Sequence, residues 1–158
     1  MANVTFSLPD PSATDRLAQA LAPMLEACDT LLLTGDLGAG KSHLARAIIQ
    51  SLQEPHGPVE DVPSPTYTLV QTYRAGPLEV LHADLYRLGD PSELPELGIE
   101  EALGEAVCLI EWPERGEGWP DSALKLVLTP AGDGRIVTLT GQDDHWADRL
   151  AHLEQQHV

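Results

Sequence analysis

Thr30-Leu31-Leu32-Leu33-Thr34-Gly35-Asp36-Leu37-Gly38-Ala39-Gly40-Lys41-Ser42 is the stretch that decides the fold. Its first five residues form a continuous run rather than an alternating one, the pattern of a strand covered on both faces of a sheet. Glycines follow at once. From Ser42 to Leu52 the positions Leu44, Ile48 and Leu52, with Ala45 and Ile49 beside them, then mark a helix with a wide apolar stripe. Between strand and helix, residues Gly35 to Ser42 satisfy GxxxxGK[ST] at every required position. Glycines let such a loop fold back so that successive backbone N–H groups point at phosphate oxygens, and the helix N-terminus adds the positive end of its dipole. Lys41 then serves as a point charge for the β- and γ-phosphates of a nucleotide, and the Ser42 hydroxyl is placed to coordinate a bridging Mg²⁺.

Outward from this unit the chain keeps alternating between strand and helix. Upstream, Val4 to Leu8 alternates like a short strand, Pro9-Asp10-Pro11 interrupts it, and Ser12 is the expected N-cap of a helix. That helix presents Leu17, Leu21, Met24 and Leu25 on one face, and Pro23 ends or kinks it. Downstream, Gln53 to Pro65 reads as an exposed, mobile loop. Thr66 to Tyr73 and Leu78 to Leu85 then read as an antiparallel hairpin turning at Ala75-Gly76-Pro77. Ser92 to Leu103 is expected to be helical and Ala106 to Ile110 to be a buried strand. Leu124 to Leu128 and Ile136 to Thr140 form a second expected hairpin, and a closing helix from Asp144 carries Trp146, Leu150 and Leu153 on one stripe. The expectation is an α/β protein: a single P-loop NTPase-like domain over 1–158, with a mixed parallel/antiparallel sheet flanked by helices and a C-terminal helix in 143–158.

Composition agrees with one ordered domain. The 158 residues are 42% hydrophobic, which excludes wholesale disorder, and a chain of this size buries enough surface to need no disulfide staple. Nine Lys and Arg against 25 Asp and Glu give a formal charge of −16. A field of that sign repels phosphate backbones, so any connection to RNA is expected to be indirect, and binding a polyanion requires a local site such as the glycine loop. Two cysteines, Cys28 and Cys108, point to a reducing compartment. No apolar run approaches a membrane span, and the first basic residue is Arg16, so the chain reads as soluble and cytoplasmic, with no membrane partner.

A phosphate-binding loop needs an acid for the metal and a group that handles water. His82 and Asp84 share one strand face because the side-chain period is two, and Asp84, near the strand's C-terminal end, is the candidate Walker B acid. His82 reads as a structural partner of Asp84 or Arg87, and no further ligands at metal spacing support a zinc site there. Glu111 emerges from a buried strand at the edge where α/β sheets place ligands, and is the candidate to orient or deprotonate the attacking water. Thr66, after the loop and between Pro65 and Tyr67, is a candidate switch-type hydroxyl for the γ-phosphate and metal; Trp112 is either a site residue or a core anchor.

Four blocks in order, GDLGAGKS at 35–42, SPTYTLV at 64–70, HADLYRL at 82–88 and IEWPER at 110–115, resemble the TsaE (YjeE) family, bacterial ATPases of tRNA threonylcarbamoyladenosine modification. The resemblance implies ATP and Mg²⁺ as cofactors, and an accessory role in which nucleotide binding and hydrolysis support turnover of a TsaB–TsaD complex acting on tRNA. It further implies a nucleotide site from Gly35, Asp36, Leu37, Gly38, Ala39, Gly40, Lys41, Ser42 and His43 with Trp112 nearby. By the same resemblance Lys41, Thr66 and Glu111 belong to catalysis, and Ser42, Asp84 and Glu111 to the metal. His43 stands where the family usually has a second Thr, so a side-chain hydroxyl contact is lost while its backbone N–H still serves the α-phosphate.

Two other functions fit a phosphate-binding loop. A small-molecule kinase needs a cluster of lid arginines, whereas beyond the helix that follows the loop only Arg74, Arg87 and Arg115 precede the last hairpin. A nucleotide-gated interaction module with negligible hydrolysis would carry the same motifs. A GTPase is disfavoured because no Asn-Lys-x-Asp segment follows the loop.

Overall fold

The apolar run at Thr30–Thr34 becomes the centre of a seven-stranded sheet. In the computed structural model, which describes residues 1–156, the chain passes through β1 (Ala2–Leu8), α1 (Pro11–Leu21), β2 (Thr30–Thr34), α2 (Lys41–Gln53), β3 (Val70–Ala75) and β4 (Leu78–Asp84). It continues through α3 (Ile99–Leu103), β5 (Val107–Glu111), β6 (Leu124–Ala131), β7 (Gly134–Gly141) and α4 (Asp143–Gln155). The strand order is β1-β7-β6-β2-β5-β4-β3. β2 runs parallel to both β5 and β6, and β4 runs parallel to β5, while hairpins add β3 and β7 antiparallel and β1 closes the far edge against β7. The expected mixed sheet flanked by helices is the observed one.

Period-two alternation sorts the central strands between two cores. Leu31 and Leu33 of β2 join Val107 and Leu109 of β5 against Leu44, Ala45, Ile48 and Ile49 of α2 and Leu17 and Leu21 of α1. Trp146, Leu150 and Leu153 of α4 extend that core, so three helices cover this face. Leu32, Cys108 and Ile110 point the other way, onto a thinner layer built from Leu94, Ile99 and their neighbours. Burial there pushes the Cys108 thiol up to about 12, so it stays a protonated core residue. α4 is fastened as well as packed: the Trp146 indole N–H donates to the Ser122 carbonyl at 2.7 Å, and Arg149 stacks over the same ring and pairs with Asp29 at 2.7 Å. The stripe seen in the sequence is therefore a packing face. Residues 157–158 of the expected C-terminal segment lie outside the described residues. Among the described residues no helix is long and apolar enough to cross a membrane.

Several local expectations are corrected. The N-cap of α1 is Asp10, not Ser12: its carboxylate accepts from the Ala13 N–H at 2.9 Å, and Pro11 takes the first helical position, where no N–H is needed. The first hairpin strand begins at Val70 rather than Thr66, because the Leu69 N–H turns back to the Pro65 carbonyl at 2.7 Å with Leu69 at a φ of 68°. Ser92 to Leu103 is not one helix. Pro95 supplies no N–H and Gly98 adopts a left-handed conformation, so a 3₁₀ segment over Pro91–Leu97 precedes α3. The loop after α2 is largely exposed, as expected, and side chains of α2 bond to it: Arg46 donates to the Val62 carbonyl, Gln50 and Gln53 hold Glu60, and Val62 is buried.

Candidate nucleotide site

Because β2, β4 and β5 are parallel, their C-terminal ends meet at one edge of the sheet, and the phosphate-loop motif, Asp84 and Glu111 end up side by side there. The face follows from period two. His82 and Asp84 of β4 and Glu111 of β5 alternate with the side chains of the thinner core, so all three lie on the α2 side, beneath the start of that helix. A cleft of about 440 Å³ opens above them, lined by residues 37–43, Thr66, Asp84, Tyr86, Arg87, Glu111 and Trp112.

The loop from Gly35 to Gly40 is shaped by close contacts. A Cβ on Gly35 would stand 2.8 Å from the Leu128 carbonyl oxygen of β6, so only glycine lets the loop leave β2 beside that strand. Gly40 sits at a φ of +99° as the N-cap of α2, without a side-chain cap. The N–H groups of Gly40, Lys41, Ser42 and His43 have no acceptor among the described residues, which leaves a row of donors at a helix N-terminus. Arg135 of β7 braces the loop from outside by donating to the Ala39 carbonyl at 3.0 Å and the Gly38 carbonyl at 2.8 Å.

Lys41, 5% exposed, donates to the Gly35 and Asp36 carbonyls, and its ammonium lies 4.1 Å from the ring centre of Trp112. Burial lowers its pKa below the ordinary lysine value, against the opposing pull of Glu111, Glu114, Asp84 and Asp36. The Ser42 hydroxyl donates to Glu111 Oε1 at 2.7 Å. Thr66 donates to Asp84 Oδ2 at 3.1 Å, and the Tyr86 N–H holds Asp84 Oδ1 at 3.0 Å. Trp112, at the N-cap of a short 3₁₀ turn with φ 58°, faces the cleft and stacks obliquely on Tyr86.

The side chains named from the sequence therefore converge. Lys41, Ser42, Thr66, Asp84, Glu111 and Trp112 all line the cleft, as does the loop from Leu37 to His43. Gly35 and Asp36 shape its base through their carbonyls to Lys41. The donors available to a cation are hydroxyls and carboxylates, the set a hard ion such as Mg²⁺ takes. No group of three or more His, Cys, Asp or Glu is gathered at metal distance among the described residues. His43 does not face the cleft with its ring alone: Nε2 contacts Asp15 Oδ1 at 2.8 Å, tying α2 to α1.

Three features were not legible in the motifs. His82 pairs with neither Asp84 nor Arg87; its Nε2 meets Glu111 Oε2 at 2.6 Å, because the imidazole reaches diagonally across the β4–β5 ladder. The shared strand face was the available signal. Arg135 comes to the loop from 97 positions downstream of Gly38, with nothing local to announce it. Arg87 lines the cleft with its guanidinium over Tyr67, so one of the three counted arginines does reach the site, although no lid forms.

Sheet, loop and strand-end acids together define an α/β protein of the P-loop NTPase-like class. The family model described as "Threonylcarbamoyl adenosine biosynthesis protein TsaE" matches residues 8–137, and the chain belongs to the TsaE family. The tRNA threonylcarbamoyladenosine biosynthesis protein TsaE of Haemophilus influenzae is 36% identical over 149 residues, covering 90% of this chain and 92% of that protein. The protein of the same description from Bacillus subtilis is 37% identical over 134 residues, 83% of this chain and 81% of its own. The crystal structure of Bacillus subtilis YdiB superposes with a TM-score of 0.78 at 27% identity, covering 98% of this chain and 96% of that one. The family is one of tRNA threonylcarbamoyladenosine biosynthesis, and tRNA modification is the process to which the chain is assigned.

Proposed function

We propose that the chain is a Mg²⁺-dependent ATPase that acts as an accessory subunit in tRNA threonylcarbamoyladenosine modification, with ATP binding and hydrolysis supporting turnover of a TsaB–TsaD complex. The observation that carries the reading is the row of unengaged N–H groups at Gly40 to His43 facing the same cleft as Lys41 and the buried carboxylate of Glu111. Phosphate oxygens accept from those N–H groups, and Lys41 adds a full charge. Ser42 and Asp84, with Thr66 beside them, would hold a Mg²⁺ ion, which would supply positive charge to neutralise the phosphates. Glu111 Oε1 orients the attacking water and takes its proton as the water oxygen bonds to the γ-phosphorus. The bond from that phosphorus to the bridging oxygen breaks, and ADP and inorganic phosphate leave.

Turnover by the isolated chain is expected to be slow. Lys41 is held by the Gly35 and Asp36 carbonyls, so nucleotide binding exchanges those internal hydrogen bonds for phosphate contacts. A partner that stabilises the exchanged arrangement accelerates hydrolysis. RNA contact is left to the partners, since a net charge of −16 opposes it here.

The test is Mg²⁺-dependent ATP hydrolysis by the chain alone and with purified TsaB and TsaD, with GTP and a panel of small acceptors in parallel. Stimulation by the partner proteins is the expected result. Phosphate transfer to an acceptor without partner stimulation would replace the reading with a kinase, and tight ATP binding with no hydrolysis under any condition would replace it with a nucleotide-gated interaction module.

A further inference from the structure

We propose that His82 is the positioning residue that fixes the Glu111 carboxylate for its work on water, an inference that rests on the hydrolytic reading above. Glu111 is 1% exposed and lies at the last position of β5, where an unpaired carboxylate would be costly to bury. Two donors from different elements hold it. Ser42, at the first turn of α2, takes Oε1, and His82, two residues before the end of β4, takes Oε2. A metal would take a lone pair of the Ser42 oxygen and leave its O–H on Oε1, whereas His82 anchors Oε2 and does not line the cleft.

His82 suits this task. It is 1% exposed and packed within the sheet, and it does not line the cleft, so it meets neither nucleotide nor water directly. Its Nδ1 has no hydrogen-bond partner among the described residues. A carboxylate only accepts, so the arrangement that fits has the proton on Nε2, donated to Glu111, and leaves Nδ1 as a bare acceptor. The imidazole thereby sets which oxygen of Glu111 is anchored and which one is turned to the cleft. Water activation is sensitive to such placement, because misplacing a reactive group by about 1 Å costs on the order of 10²-fold in rate. A histidine kept only for packing on this strand would need no carboxylate partner, and an apolar residue would fill the site without a bare Nδ1.

The experiment is a double-mutant cycle on the full chain in the presence of its protein partners. H82L removes the donor at similar volume, H82Q keeps an N–H donor at the reach of Nε2, and E111Q and H82L/E111Q complete the cycle. The expected result is that H82L lowers kcat by tenfold or more with KM for ATP and ATP affinity unchanged. H82Q recovers most of that loss, and H82L adds nothing in the E111Q background. Nitrogen-detected NMR of the imidazole supplies a readout independent of turnover: the expected signature is a slowly exchanging proton on Nε2. A proton on Nδ1, or an H82L effect that is undiminished in E111Q, overturns the proposal. So does unchanged kcat in an H82L variant that is folded by circular dichroism. If H82L does not fold, the decision falls to the NMR signature and to H82Q, whose kcat must stay close to the parent's. A parent that binds ATP but never hydrolyses it removes the hydrolytic reading itself, and with it the role given to His82, which separates the two failures.

Discussion

If Glu111 handles the attacking water, replacing it by Gln is expected to separate binding from hydrolysis. The carboxylate accepts from Ser42 at 2.7 Å and from His82 at 2.6 Å. Glutamine keeps the shape: its oxygen accepts the His82 N–H and its amide donates to the Ser42 oxygen, so no buried polar atom is orphaned. Two charge-assisted hydrogen bonds become neutral ones, a loss of about 1 kcal/mol each, and a buried charge no longer has to be desolvated. The terms oppose each other, and the folding stability is expected to change by no more than about 1 kcal/mol. Loss of a catalytic base costs on the order of 10²-fold in rate, or about 2.7 kcal/mol of barrier. Affinity moves in the opposite direction. A unit negative charge about 8 Å from another repels it by about 2 kcal/mol at an effective dielectric near 20, so neutralising Glu111 leaves ATP binding intact or tightens it. Calorimetry with ATP and Mg²⁺, beside single-turnover hydrolysis with the partner proteins, reads both quantities on the same preparations. Equal hydrolysis by E111Q and the parent would falsify the assignment of Glu111 to the water, and a parallel loss of binding would make it a structural prop of the loop.

Lys41→Ala is expected to weaken ATP binding strongly while the fold persists; unchanged affinity by calorimetry would remove the loop from phosphate binding. Because burial holds the Lys41 pKa below 10.5, its charge is lost at lower pH than an ordinary lysine's, so ATP affinity should begin to fall with rising pH earlier than for an exposed lysine site. Trp146→Ala removes a fully buried indole, its bond to Ser122 and the ring under Arg149, and should cost about 3–5 kcal/mol in urea unfolding. A cost below about 1 kcal/mol would mean that α4 is not part of the main core.

Much of the candidate site was legible because its physics is local. A phosphate loop needs glycine where the backbone crowds Leu128 or turns left-handed, and a lysine and a hydroxyl at fixed distance from the strand, so the motif at 35–42 carries its own geometry. Side-chain alternation alone puts His82 and Asp84 on one strand face. Boundaries were less legible where side chains compete with the backbone. Asp10 rather than Ser12 caps α1, and the chain at 66–69 makes a turn because Leu69 bonds back to Pro65 while the Thr66 side chain reaches Asp84.

The sequence by itself determined the class of fold, the family and the list of groups that line the cleft, because apolar period, glycine positions and motif spacing are properties of short segments. Only the tertiary structure decided who holds whom. Strand order brought β4 beside β5, so that His82 found Glu111 and not Asp84 or Arg87. Hairpin register likewise brought Arg135 back to a loop it follows by nearly a hundred residues. Pairings of that kind depend on sheet topology, and no window of sequence contains both partners.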